Sequence, residues 1–457
     1  MLDPDLLLHK INDPGGLKDA HAKHAAEIPE GSRLPDDYFD RLSAEIVAEK
    51  DDPHRVARAA TPPGPGGPPA PPPVIYLSRM PSVSQFMGVI NDCFEQELQG
   101  SAAQGLLHLG NLDHLRAAVE RLADELRSRF RKFGPCDIRF IEPKLAEVIA
   151  GFTGRHTFAT DPVEVTLSDN AEVIVFGDWA TALPQARNVA ARIAEHVAAV
   201  DPAVDCHVIH LGDTYYSGLE DECRHRFLDL WPVKAGSRVK SWTLAGNHDM
   251  YSGGHGYFGV LLADPRFAAQ KGCSYFALAN DSWQILGLDS SYQNPDTPGL
   301  QPPQGAWLAD RVTGSGARRT MLLTHHQPFS AYEQIGDTMA AAVNAALGDA
   351  KVDAWLWGHE HRCAVYKPDV VDQSVKYNAT AGYTAIIGHG GVPQLLTAQD
   401  DALNPGAFAW EFKGDYTVGN DRWGLGGYAV LKFAGRELTI TYYDEYGKDC
   451  HTDTLAG

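Results

Sequence analysis

From residue 171 onward, short apolar runs end abruptly in turns rich in Gly, Asp, Asn and His. EVIVF (172–176) runs into Gly177-Asp178, and CHVIHL (206–211) into Gly212-Asp213. KSWTLA (240–245) leads to Gly246-Asn247-His248-Asp249, RTMLLT (319–324) to His325-His326, and DAWLW (353–357) to Gly358-His359-Glu360-His361. Apolar runs of this length bounded by turn residues predict buried strands. Between the first two, Pro184–Val200 carries Val189, Ile193 and Val197 at helical spacing. Strand, helix, strand with polar residues at the strand ends is the α/β pattern that collects chemistry along one sheet edge. The intervals agree with βαβ units: 35 residues from Asp178 to Asp213, 34 from Asp213 to Asn247, and 34 from His325 to His359. The sequences inside the intervals are unlike one another, so no repeat array is predicted. Tyr428–Phe433 and Glu437–Tyr443 predict a closing hairpin around Gly435.

The N-terminal third has a different texture. Residues 1–60 are polar with helical patches such as Tyr38–Glu49. Thr61–Pro73 (TPPGPGGPPAPPP) can form neither helix nor central strand and reads as a linker or a surface strap. Within 74–170, Asn111–Phe133 sets Leu112, Leu115, Val119, Leu122, Leu126 and Phe130 on one helical face, opposite Arg116, Glu120, Asp124 and Arg127. Its basic end, Arg127, Arg129, Arg131 and Lys132, either contacts an anion or, the preferred reading, is solvated and complements the helix dipole. The predicted organisation is therefore a polar, helical segment 1–60, a linker or strap 61–73, a helical extension 74–170, and an α/β domain 171–457.

Composition narrows the class. Of 457 residues, 44% are hydrophobic and 21% charged, which is ordinary globular usage. The net charge of −20 makes general nucleic-acid binding a poor expectation. Seven cysteines without C-x-x-C spacing predict neither a disulfide framework nor a zinc ribbon. MLDPDLLLHKIND lacks the basic start and apolar stretch of a signal peptide, and no run suits a membrane span. The reading is a soluble, reduced, cytoplasmic protein.

Together the five turns offer two carboxylates, a carboxamide, several imidazoles and the tyrosine-rich GDTYYSG (212–218). Carboxylate with imidazole suits borderline cations such as zinc, manganese and iron. One tetrahedral ion cannot use so many ligands; two ions sharing a carboxylate can, and a two-metal site suits displacement at phosphorus. A single Gly-Asp after a strand is usually only a turn; it is the joint occurrence of five that points to metal. His207 and His210, inside a strand pattern, read as core, and Asp289 as structural. Trp179 is placed to wall the pocket. His255 and Tyr257, in the loop after GNHD, and His389, in Gly388-His389-Gly390-Gly391, are candidate substrate contacts.

The order GD…GD-x-x-Y…GNHD…H…GHxH resembles the calcineurin-like metallophosphoesterases over about residues 171–395, and within them most resembles the purple acid phosphatases of the small tartrate-resistant type. That resemblance implies a four-layer α/β/β/α sandwich with the mostly helical N-terminal extension outside it. It implies Asp178, Tyr216 and His361 on one ion, Asn247, His325 and His359 on the other, and Asp213 bridging. His248 would contact phosphate or protonate the leaving oxygen, and Asp249 would orient it. Most of the superfamily has Asp-x-His at the first turn; Asp178-Trp179-Ala180 lacks that His, and Tyr216 is its implied replacement. Tyrosinate favours Fe(III) paired with Fe(II), Zn or Mn; two divalent ions are the alternative. His325 directly follows its strand, whereas His326 stands two before Pro328; both remain candidates for one ligand position, with His325 preferred. The implied activity is a phosphomonoesterase using a metal-bound hydroxide. A phosphodiesterase on nucleotides or lipid head groups, and a regulatory scaffold with a vestigial site, are the other readings.

Overall fold

The computed structural model describes residues 154–295, 297–332, 338–348, 350–368, 381–392, 394–396, 405–418 and 421–456. The segments 1–60 and 61–73 and the helix expected over 111–133 lie outside these residues. Nearly all described residues belong to one compact unit, which includes those of 156–250 and 254–457 and whose architecture follows.

One sheet has six strands: β2 (Asn170–Phe176), β3 (Asp205–His210), β4 (Lys240–Thr243), β15 (Gly427–Ala434), β16 (Glu437–Asp444) and β17 (Asp449–Leu455). Their order is β17-β16-β15-β2-β3-β4, with β2, β3 and β4 parallel and the C-terminal strands antiparallel. The other main sheet has eight: β1 (Glu164–Thr166), β5 (Phe276–Ala279), β6 (Trp283–Gly287), β7 (Arg319–Thr324), β8 (Val352–Trp357), β9 (Cys363–Tyr366), β10 (Ala381–Ile387) and β12 (Phe408–Glu411), in the order β1-β5-β6-β7-β8-β10-β9-β12. A three-stranded sheet is formed by β11 (Leu395–Leu396), β13 (Asp415–Val418) and β14 (Asp421–Gly424).

The layers follow from alternation along the strands. Successive side chains point to opposite faces. Val173 and Val175 of β2 join Ile209, Trp242, Leu278, Ile285, Leu323 and Leu356 in one buried cluster between the two large sheets. Ile174 and Phe176 turn the other way, onto Ala186, Val189 and Ile193 of helix α1 (Pro184–Ala199). Leu286, Leu322 and Trp355 likewise turn outward onto Leu308 and Val312 of α3 (Gln304–Thr313) and Met339 and Val343 of α4 (Thr338–Leu347). A short α2 (Asn247–Tyr251) follows β4. Helix, sheet, sheet, helix is the four-layer α/β/β/α sandwich that the family resemblance implies.

Two details sharpen that expectation. The sandwich begins ahead of residue 171: β1, inside the segment expected to be helical, pairs in parallel with β5, as suits the alternating, β-branched Glu164-Val165-Thr166. The closing hairpin forms as β15 and β16, turning at Gly435 with φ 61°. Among the described residues no helix is long and apolar enough to cross a membrane.

Glu445 ties this hairpin to α1. Its Oε2 accepts the Gly426 N–H at 2.7 Å and its Oε1 accepts from Asn188 Nδ2 at 3.1 Å. Burial pushes its carboxyl up to about 7. A raised folded-state value means stability that is full below the ordinary glutamate range and is lost as pH rises through about 7. Replacing it by an uncharged isostere should remove that dependence. In urea unfolding at pH 5 and pH 8, the native protein should lose on the order of 2–3 kcal/mol more than Glu445→Gln does across the interval.

Candidate metal centre

Each of the five turns leaves its strand at the same edge of the sandwich, and they interlock. The residues that begin the turns adopt left-handed backbone: φ is 55° at Asp178, 79° at Asp213, 69° at His359 and 50° at His361. Such conformations at non-glycine residues cost energy and persist where the surroundings fix them. Here Asp178 N–H donates to the Gly212 carbonyl at 3.1 Å, and the His359 N–H donates to Asp178 Oδ2 at 2.7 Å. The glycines of the motifs are explained by close approach. A Cβ on Gly246 would sit 2.1 Å from Asp213 Oδ1, and one on Gly358 would sit 2.7 Å from Asp178 Oδ2.

Two groups of donor atoms result. In the first, the Tyr215 hydroxyl lies 3.0 Å from each of Asp178 Oδ1, Asp213 Oδ2 and His361 Nε2. In the second, Asn247 Oδ1, His325 Nε2 and His359 Nδ1 form a triangle with sides of 2.9, 3.1 and 3.0 Å. Asp213 touches both groups, since its Oδ1 is 3.4 Å from His325 Nε2. Ligand atoms of Asp178, Asp213 and His325 fall within 4.8 Å of one another, as do those of His325, His326 and His359.

The electrostatics fit cations. Asp178 and Asp213 are wholly buried, and among the described residues no Lys or Arg forms an ion pair with either. An uncompensated buried carboxylate costs several kcal/mol. Burial opposes the charge on Asp213, but the imidazoles of His325, His248 and His359 outweigh it and hold the carboxyl well below the usual range. Burial, reinforced by His326 and His325, pulls His359 well below the ordinary histidine value. His325 Nδ1 stands 3.0 Å from the Leu211 carbonyl, which can only accept; Nδ1 therefore carries the hydrogen, and in the neutral ring Nε2 presents a lone pair. That lone pair faces the Asn247 oxygen, another acceptor, at 2.9 Å. Two acceptors at this separation require a positive charge between them, either a proton or a metal.

The remaining sequence candidates find other places. The tyrosine brought into the carboxylate group is Tyr215, one residue before the expected Tyr216. Tyr216 gives its N–H to Glu222, and its ring lies beneath the Arg226 guanidinium at 5.5 Å. Burial, with the charges of Asp178 and Asp213, pushes the Tyr215 phenol well above its ordinary value. His248 stands beside the site, with Nε2 4.0 Å from Asp213 Oδ2. Asp249 does not orient it. The Asp249 Oδ2 instead accepts the N–H groups of Asp213 and Gly246, at 3.0 and 2.8 Å, while His248 Nδ1 donates to the Tyr216 carbonyl at 2.6 Å. Burial and the neighbouring Asp213 push the Asp249 carboxyl up to about 7.

His326 anchors on Ser290 Oγ at 2.9 Å, and its ring lies 4.6 Å from that of His359. Tyr257 is a core residue, since it opens the helical segment Tyr257–Leu261 packed on the outer sheet face and donates its hydroxyl to the Thr243 carbonyl at 2.7 Å. His389 is buried beside Phe412, and burial pulls it down to about 3; it is not among the gathered donors. His255 lies edge-on to His156 at 6.0 Å. His207 and His210 are buried in β3 as expected, and Trp179 is wholly buried beside Phe176. Glu222 and the Tyr216 carbonyl escape a motif-based reading, because backbone groups and the carboxylates that bind them leave no signature of residue type.

Residues 171–363 match the calcineurin-like phosphoesterase family, and this part of the chain is a calcineurin-like metallophosphoesterase domain, of the metal-dependent phosphoester hydrolases. The chain is 22% identical over 321 residues to tartrate-resistant acid phosphatase type 5 of Oryctolagus cuniculus, spanning 64% of this chain and 93% of that protein. Among solved structures it is similar to GAP50, the anchor in the inner membrane complex of Plasmodium, with 12% identity and a TM-score of 0.41 over 63% of this chain and 88% of that one. It is also similar to a metallophosphoesterase from Sphaerobacter thermophilus, with 14% identity and a TM-score of 0.26 over 60% of this chain and 87% of that one.

The interlocked turns predict a sharp contrast between glycines. Gly246→Ala should displace the Asp213 carboxylate and cost the protein most of its bound metal, measured by elemental analysis after dialysis. Gly259→Ala, where a Cβ meets nothing within 4 Å, should leave metal content unchanged.

Proposed function

We propose that the chain is a phosphomonoesterase of purple acid phosphatase type. Asp178, Asp213, His361 and a tyrosine of the 215–216 pair would hold one cation, and Asn247, His325 and His359 the other, with Asp213 shared. The observation that carries this reading is the acceptor-on-acceptor contact between Asn247 Oδ1 and His325 Nε2 beside a carboxylate that reaches both donor groups. The similarity to tartrate-resistant acid phosphatase type 5 supports the monoester preference. A phenol among the donors favours Fe(III) in the first position, with Fe(II), Zn or Mn in the second.

When bound, such a pair of cations supplies Lewis acidity, lowering the pKa of water and screening the charge on phosphoryl oxygens. The chain's own residues do the rest. The carboxylates Asp178 and Asp213, fixed by the turn backbones, set the spacing of the two subsites. His248 keeps a hydrogen on Nδ1, held by the Tyr216 carbonyl, and turns Nε2 toward the site. From there Nε2 gives a proton to the departing alkoxide oxygen. The buried walls, Tyr215 among them, limit water and so strengthen each charge interaction.

Three measurements test the reading. The native protein should retain two ions per chain and cleave an aryl phosphate faster than an aryl phosphodiester; the reverse preference would favour the diesterase reading. His248→Ala should lower kcat on the aryl phosphate by about 10²–10⁴-fold while both ions stay bound. In the iron-loaded protein, Tyr215→Phe should abolish a tyrosinate-to-iron absorption band and Tyr216→Phe should preserve it. The opposite pattern would return the ligand role to Tyr216.

A further inference from the structure

A carboxylate outside the donor groups holds the loop on which two of the site's working parts depend. Glu222 is 2% exposed and ends the short turn of helix Glu220–Glu222. Its Oε1 accepts the Tyr216 N–H, and its Oε2 accepts the N–H groups of Ser217 and Leu219 at 2.9 and 3.1 Å. Arg226 Nη1 donates to Glu222 Oε1 at 2.5 Å and to the Tyr215 carbonyl at 2.6 Å. One ion pair thereby fixes three N–H groups and a carbonyl of residues 215–219. On one side of this loop the Tyr215 hydroxyl enters the carboxylate group; on the other, the Tyr216 carbonyl holds the Nδ1–H of His248.

We propose that Glu222, braced by Arg226, is a positioning residue that sets the tyrosine hydroxyl and the His248 imidazole relative to each other. The proposal deepens the hydrolase reading above and rests on it for its catalytic consequence. A carboxylate is the right group for the task, because it only accepts and here meets only donors. Glu222→Gln keeps the size but turns an NH2 group toward backbone N–H groups or the guanidinium.

The test uses the full, metal-saturated chain well below its melting temperature. Glu222→Gln should lower kcat on an aryl phosphate by about 10–100-fold with KM within about threefold of native and both ions retained. In a His248→Ala background the same substitution should cost at least about fivefold less, because the group it misplaces is already gone. In the metal-free protein, deuterium uptake over residues 214–219 should rise. Equal losses in the two backgrounds, or a lower melting temperature with unchanged kcat, would overturn the proposal. If Glu222→Gln does not fold, Arg226→Met at a half-exposed position should give the same pattern in weaker form, and its failure to do so counts equally against the clamp. If the native protein cleaves no phosphoester, the functional reading fails by itself. Exchange in the metal-free variant then decides separately whether Glu222 fixes the loop: unchanged uptake would refute it.

Discussion

Acceptor atoms are packed against acceptor atoms at the centre of this protein, and the surrounding structure is arranged to keep them there. Asn247 Oδ1 and His325 Nε2 stand 2.9 Å apart, and the Asp213 carboxylate is buried beside them with no Lys or Arg partner among the described residues. Without a positive charge such a cluster would push its own loops apart. The left-handed turns at Asp178, Asp213, His359 and His361 hold it together through backbone hydrogen bonds that cross from loop to loop. The two-sheet core beneath supplies a rigid base, so the cost of crowding is met by packing several ångströms away.

Much of this was legible in the chain itself. Apolar runs ending in Gly-Asp, Gly-Asn and Gly-His disclosed both the strands and the edge on which the chemistry gathers, because period and punctuation are local properties. The side chains that form the cluster, Asp178, Asp213, Asn247, His325, His359 and His361, stand in those turns, and the resemblance of the motif order singles them out. The adjacent tyrosines are a different case. The resemblance implies Tyr216, whereas the structure brings the Tyr215 hydroxyl to the carboxylates and gives the Tyr216 N–H to Glu222. Asp249 is a related case. The resemblance implies that it orients His248, whereas its carboxylate binds the backbone of Asp213 and Gly246. Tyr257, a candidate because its loop follows GNHD, instead opens a helical segment with its ring in the core.

The working parts thus divide into those a residue type announces and those that only three-dimensional bonding reveals. The Tyr216 carbonyl holds His248 as a side-chain carboxylate would, and any residue at 216 could supply it. Selection on such a position would act on backbone path rather than on identity. The same is true of the motif glycines, whose missing Cβ atoms make room for the neighbouring carboxylates.

The strand order also bears on when this site can come into being during synthesis. β2, which delivers Asp178, is flanked on one side by β3 and on the other by β15, from residues 427–434. A growing chain that has emerged as far as His361 owns every donor atom, but β2 still has an open flank whose peptide groups await residues 427–434. Pairings so distant along the chain close slowly. Completion of the sheet that carries Asp178 is thereby deferred until residues 427–434 have been made, and until then the nascent chain leaves one edge of β2 open, the kind of unpaired edge that chaperones shield.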